Sequence, residues 1–118
     1  MSKTYTIGLS GESHNCPLTG KPRQGLIRAF VRPGLALQLH PEPDNPYSKT
    51  AIAVHLVREE MAGEVHYHLG YIPEKDTRWV NDFIKEKPPE KLVVTVKEVT
   101  GGTRQKSSFG VVLNLTIF

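Results

Sequence analysis

Residues 42–54 run Glu42-Pro43-Asp44-Asn45-Pro46-Tyr47-Ser48-Lys49-Thr50-Ala51-Ile52-Ala53-Val54. Pro43 and Pro46 fix φ and remove two backbone donors, so the first half of this run is a stiff loop that cannot pair within a sheet. Asp44 and Asn45 are turn formers through side-chain hydrogen bonds to nearby backbone. From Ala51 the pattern changes. Ile52, Val54 and Leu56 fall on one face of a strand predicted over residues 51–57. A rigid loop feeding a strand holds Tyr47 in one arrangement at the rim of a sheet.

Working outward, residues 64–72 read as the next strand, joined to the first by a polar turn at 59–63. Upstream, residues 4–9 form a strand, 10–25 a loop rich in Gly, Pro, Asn and Ser, and 35–39 another strand. A short helix is predicted over 23–31, with Leu26, Ile27 and Phe30 on one face and Pro33-Gly34 as its stop. Pro73 suits the first position of a second helix over 74–86. Its apolar stripe is Trp79, Val80, Phe83 and Ile84, which predicts that Trp79 and Phe83 pack onto the sheet. Strands at 92–99 and 111–118 flank an exposed loop at 101–108 that carries Arg104 and Lys106. Six strands with one or two helices predict a mainly β protein. Its architecture is an OB-like β-barrel or curved sheet with a helix across one opening, and residues 1–118 form one domain.

The 118 residues, 38% hydrophobic and 23% charged, suit a globular chain. A lone cysteine, Cys16, excludes an internal disulfide and fits a reducing compartment. No apolar run has the length of a signal peptide or a membrane span, so a cytoplasmic protein with no membrane partner is expected. The net charge is +3, and it is unevenly placed. Residues 1–50 carry Lys3, Lys21, Arg23, Arg28, Arg32 and Lys49 against Glu12, Glu42 and Asp44, whereas acids and bases balance in the rest. That asymmetry suits either an anionic partner or an ordinary soluble surface.

Tests for enzyme chemistry fail one by one. Gly8-Leu9-Ser10-Gly11-Glu12 has glutamate where a nucleophile elbow needs glycine. Thr19-Gly20-Lys21-Pro22 has proline where a phosphate loop needs Ser or Thr. Cys16 with His14 lacks an orienting group. Glu59-Glu60 reads as solvated turn. His66 and His68, two apart on a strand, share a face, and His55 or Cys16 would supply a third zinc ligand. A half-exposed polar strand face accounts for the same spacing. The expectation is therefore no catalytic residue, no metal and no cofactor.

The 42–54 run is followed by Leu69-Gly70-Tyr71-Ile72-Pro73 and preceded by Arg23-Gln24 and Arg32-Pro33-Gly34. Together these resemble the HIRAN domain, with its E-P-x-N-P-Y-D-x-x-A-I-x-V run and G-Y-L-P-like step, over roughly Tyr5 to Phe118. The resemblance implies an OB-like barrel that acts as a nucleic-acid-binding module. It would grip the 3′ end of single-stranded DNA, or RNA as the alternative, in DNA repair or replication, with a protein partner in that assembly. By the same resemblance Tyr47, Tyr71 and Phe109 would form aromatic walls around one terminal base. Asn45 would bond the backbone or a base edge, and Arg23, Lys49, Arg104 and Lys106 would contact phosphate. Two positions depart from the family. Ser48 replaces the aspartate that accepts a terminal hydroxyl, with Asp44 a possible substitute, and Glu74 stands where the translocase member has lysine. These departures predict a modest penalty for a blocked 3′ end. They also support the alternative of a HIRAN-fold protein-interaction domain without nucleic-acid binding.

Overall fold

The computed structural model describes residues 2–11 and 16–118, with the side chain of Pro89 excepted. Six strands run in chain order as β1 (Lys3–Gly8), β2 (Ala36–Pro41), β3 (Ile52–Glu60), β4 (Gly63–Tyr71), β5 (Leu92–Thr100) and β6 (Gly110–Ile117). Helix α1 (Arg23–Phe30) precedes β2, helix α2 (Glu74–Glu86) follows β4, and a single 3-10 turn (Pro89–Lys91) leads into β5. The sheet order is β1-β6-β5-β2-β3-β4, with every pairing antiparallel. The mainly β architecture expected from the sequence is present. The ladder itself stays open.

Curvature nearly closes it. Ser10, just past β1, meets Tyr71 at the end of β4, and the two exchange backbone hydrogen bonds of 2.9 and 2.8 Å. This crossing requires Gly70. A Cβ there would overlap the Ser10 carbonyl oxygen and crowd the Leu9 side chain, a conflict that only glycine avoids. Register shifts at Val54/His55 and Val96/Glu98 add the local bends that a strongly curved sheet needs.

The interior follows from side-chain alternation. In β6, Val111, Leu113, Leu115 and Ile117 are buried and the residues between them are half-buried, the period-two pattern of a strand with one inward face. In β3, Ile52 through Leu56 are all buried, because both faces of its first half are covered. Inward residues of β2 and β4 (Leu37, Tyr67, Leu69) meet Leu26 and Ile27 of α1 in the same core. The outward face of β2–β3–β4 is polar and carries all four described histidines.

Helix α2 carries Glu74 and Asp76 in its first turn and Lys85 in its last, which complements its dipole. Its fully buried positions are Thr77 and Val80. Trp79 and Phe83 pack onto the sheet as expected, half-buried against Tyr5 rather than fully enclosed. The Trp79 ring lies 4.8 Å from that of Tyr5 on β1, and its Nε1 donates to Asp76 at 2.9 Å. The indole keeps a polar edge toward solvent because its N–H needs an acceptor. Among the described residues no helix is long and apolar enough to cross a membrane.

Because the indole is half-buried, Trp79→Ala is expected to cost about 2 kcal/mol, below the ~3–5 kcal/mol of a fully buried aromatic. Urea denaturation followed by circular dichroism measures this. A loss above that range would mean the ring is packed more deeply than described.

Candidate functional site

Three segments converge at the end of the sheet where β1 crosses β4: residues 42–51, the end of β4, and the first turn of α2. Between them lies a cleft of about 640 Å³, lined by Ser10, Gly11, Pro17, Arg23, Asn45, Tyr47, Ser48, Ala51, Tyr71, Ile72 and Glu74.

The 42–51 loop holds its own shape. Asn45 Oδ1 accepts from the Tyr47 and Ser48 N–H groups at 2.8 and 3.1 Å, and its Nδ2 donates to Glu42 Oε1 at 3.0 Å. Of the two roles expected for Asn45, bonding the backbone is the one seen here, and the residue also lines the cleft. The loop's aromatic is entirely uncommitted. Tyr47 is 96% exposed, which excludes a role as a packed barrel lid. Tyr71 forms the opposite side. Its hydroxyl donates to Glu42 Oε1 at 3.1 Å and its ring lies edge-on to His68, with centroids 4.7 Å apart. Burial first, and then the Glu42 carboxylate, raise the Tyr71 phenol above its usual range.

The two departures from the family pattern prove to be partners. Ser48 Oγ donates to Glu74 Oε1 at 2.9 Å, Thr50 Oγ1 donates to the same oxygen at 3.0 Å, and Thr77 Oγ1 donates to Thr50 Oγ1 at 3.1 Å. The carboxylate of the cleft is thus Glu74, while Asp44 is exposed and does not line it.

Arg23 was expected on the surface, facing phosphate. It is buried (4% exposed), and its guanidinium serves the free edge of β4. Nε donates to the His68 carbonyl at 3.0 Å, one Nη to His68 Nδ1 at 2.9 Å and the other to the Gly11 carbonyl at 2.8 Å. On the same edge the His68 N–H donates to Cys16 Sγ at 3.3 Å. Cys16 is fully buried. Burial raises its thiol, but hydrogen bonds from the Thr19 side chain and from the His68, Leu18 and Thr19 backbone outweigh this and bring it below the usual value. Cys16 is a structural acceptor, and His14, its suggested partner, lies outside the described residues.

Phe109, Arg104, Lys106 and Lys49 do not line the cleft. Phe109 is half-buried against the core. Gln24 clasps its backbone, with Nε2 donating to the Phe109 carbonyl at 2.9 Å and Oε1 accepting from its N–H. Its ring presses on Gly102, where a Cβ would collide with it. The three-walled aromatic pocket is thus reduced to Tyr47 and Tyr71. Arg104 and Lys106 are exposed in the β5–β6 loop, with Lys106 Nζ donating to Thr100 Oγ1 at 3.3 Å.

Two residues of this site were not among the expected ligand contacts, although Glu42 opens the family-like run and His68 was weighed as a metal ligand. Glu42 accepts from Asn45 and Tyr71 through Oε1, and its Oε2 sits 3.5 Å from His68 Nε2. His68 is 1% exposed. Because arginine only donates, its Nδ1 is an acceptor and its proton is on Nε2. Burial, and then Arg23, lower the His68 pKa.

The chain matches the HIRAN domain family over residues 12–116 and belongs to that family. Among solved structures it is similar to the HIRAN domain of human HLTF, with 16% identity and a TM-score of 0.60 over 98% of this chain and 78% of that one. It is also similar to a structural-genomics target protein from Lactobacillus plantarum, with 19% identity and a TM-score of 0.59 over the whole of both chains. At these identities the likeness is one of fold. No curated protein matches the chain.

Arg23→Lys should lose about 2–3 kcal/mol of stability, because an ammonium cannot supply the planar set of donors that the β4 edge uses. A denaturation midpoint equal to the parent's would refute this capping role. A second expectation concerns pH. Burial lowers His40 and His68, and burial with neighbouring imidazoles brings His55 down to about 4. The folded chain then binds fewer protons than the unfolded one, so stability is complete above the usual histidine pKa and falls as pH drops from 6.5 toward 4. Urea midpoints at pH about 7.5 and about 5 should differ in that direction. Equal midpoints would contradict it.

Proposed function

We propose that this chain is a non-catalytic binding module that holds the end of a single-stranded DNA in the cleft between Tyr47 and Tyr71. The observation that carries the reading is Tyr47. A wholly exposed aromatic ring on a self-braced loop, beside a cleft of about 640 Å³, has no structural employment among the described residues. A stacked base gives it one, at about 1–3 kcal/mol. The volume lies in the range of small-ligand sites, about 300–1,000 Å³.

Glu74, with the hydroxyls of Ser48 and Thr50, supplies an acceptor for a terminal 3′-hydroxyl where the family has aspartate in the loop. Its negative charge at the cleft disfavours an internal phosphate or a phosphorylated end. Lys49, Arg104 and Lys106 lie outside the cleft and would contact the following phosphates. A role in DNA repair or replication, inside the cell and alongside a protein partner, fits this reading, with RNA as the competing ligand. The same Glu74 favours a second reading, a protein-interaction domain without nucleic-acid binding.

Fluorescence anisotropy with a short labelled single strand separates them. Tyr47→Ala is expected to weaken binding about tenfold, consistent with loss of one stacked base, while leaving stability unchanged. A 3′-phosphate should weaken binding by about tenfold or more, the worth of a hydrogen bond to a charged acceptor, and Glu74→Gln should reduce that discrimination. Absence of salt-dependent binding by the parent would leave the protein-interaction reading standing.

A further inference from the structure

The outward face of β2–β3–β4 carries a cluster that the cleft does not use. His40 on β2, His55 on β3 and His66 on β4 each place one ring nitrogen within 4.8 Å of the other two. His55 Nδ1 and His66 Nδ1 share a hydrogen bond of 3.1 Å, with the proton on His55 because His66 Nε2 faces Glu64 Oε1. Two nitrogens bound to one tetrahedral zinc, at about 2.0–2.1 Å each, lie roughly 3.3 Å apart. The pair is therefore already spaced as metal ligands. Sequence spacing had paired His66 with His68; the sheet register brings in His40 instead, whose ring stacks on His55 with centroids 4.1 Å apart.

The outer nitrogens select which histidines can serve. His66 Nε2 lies 2.9 Å from Glu64 Oε1, and His40 Nε2 lies 3.0 Å from Gln38 Oε1. Each Nε2 then carries the proton, and each Nδ1 keeps a bare lone pair. A carboxylate or amide oxygen behind a histidine is the usual outer support of a metal ligand. A competing set, Glu42, His55 and His68, also clusters within 4.8 Å. It is disfavoured because Arg23 donates to His68 Nδ1 and so puts the His68 proton on Nε2, the atom facing Glu42.

We propose that His40, His55 and His66 form a binding site for a divalent transition metal ion of the zinc class, with water in the remaining position. His40 and His66 are half-buried, which leaves solvent access for the ion and for that water. Uptake requires the His55 proton on Nε2 instead of Nδ1, and His40 closes by side-chain rotation. The site is separate from the cleft, so it stands or falls independently of the nucleic-acid reading.

The test uses the untagged chain and Zn²⁺ alone. After loading, gel filtration in chelator-free buffer and elemental analysis should find one zinc per chain, and Zn²⁺ should raise the thermal midpoint. The double variant His40→Ala/His66→Gln, altered at half-buried positions only, should lose both effects. Glu64→Gln should bind about tenfold more weakly, the usual loss on removing an outer support. Imidazole NMR resonances of His40, His55 and His66 should shift on loading. No retained zinc in the parent, or full retention by the double variant, would overturn the assignment.

Discussion

The outer edge of β4 is the constraint on which the rest of this structure depends. An edge strand presents backbone N–H and C=O groups that must find partners or remain open to another chain. Here the partners come from three kinds of chemistry. Ser10 offers its backbone to Tyr71, Cys16 offers sulfur to the His68 N–H, and Arg23 offers its guanidinium to the His68 carbonyl. Ser10, Cys16 and Arg23 are thereby each tied to β4. The start of α1 is fixed by the same contact, since Arg23 is its first residue.

From that edge a polar chain runs inward to the cleft. Arg23 fixes the tautomer of His68, His68 faces Glu42, and Glu42 receives both the Tyr71 hydroxyl and the Asn45 amide. Buried networks of this kind are rigid where satisfied and costly where broken, and the weak link here is His68 Nε2, which has no hydrogen-bond partner among the described residues and only the Glu42 carboxylate at 3.5 Å. The geometry between the loop and β4 is set by this network, with apolar packing supplying the floor beneath it. Gln24 does the analogous work on the other side of α1 by clasping Phe109 at the entry to β6. The adjacent pair Arg23-Gln24 therefore pins one helix between the two halves of the sheet.

Much of this was legible in the sequence. The β6 alternation, the α2 stripe, the proline loop and the 101–108 loop all lie close to where side-chain periodicity and turn chemistry put them. The failures have a common physical origin. Arg23 was misread as a surface cation because burial of a charge depends on acceptors that arrive from residues 11 and 68, distant along the chain. Phe109 was misplaced because the residue just before a strand can face either way, and the Gln24 clasp decided it. Glu42 opens the family-like run, but the role it plays there depends on Asn45, Tyr71 and His68 gathering around it. The Ser48 and Glu74 departures looked like two losses in sequence and are one contact in space, 26 residues apart. Local pattern reports local structure; these contacts are products of register and closure.

The self-braced loop has one more consequence, for how such a protein changes over generations. Its hydrogen bonds run through Asn45 and Glu42, and the Tyr47 side chain contributes almost nothing to the core. Replacement at position 47 therefore carries little folding penalty, whereas replacement at 42, 45 or 70 disturbs the frame. At position 47 the shape of the cleft can change without touching the frame, whereas Asn45 and Tyr71 belong to both. A lineage can try new side chains at the tip of the loop while the frame beneath stays constant, which suits a small fold to repeated adaptation toward new ligands.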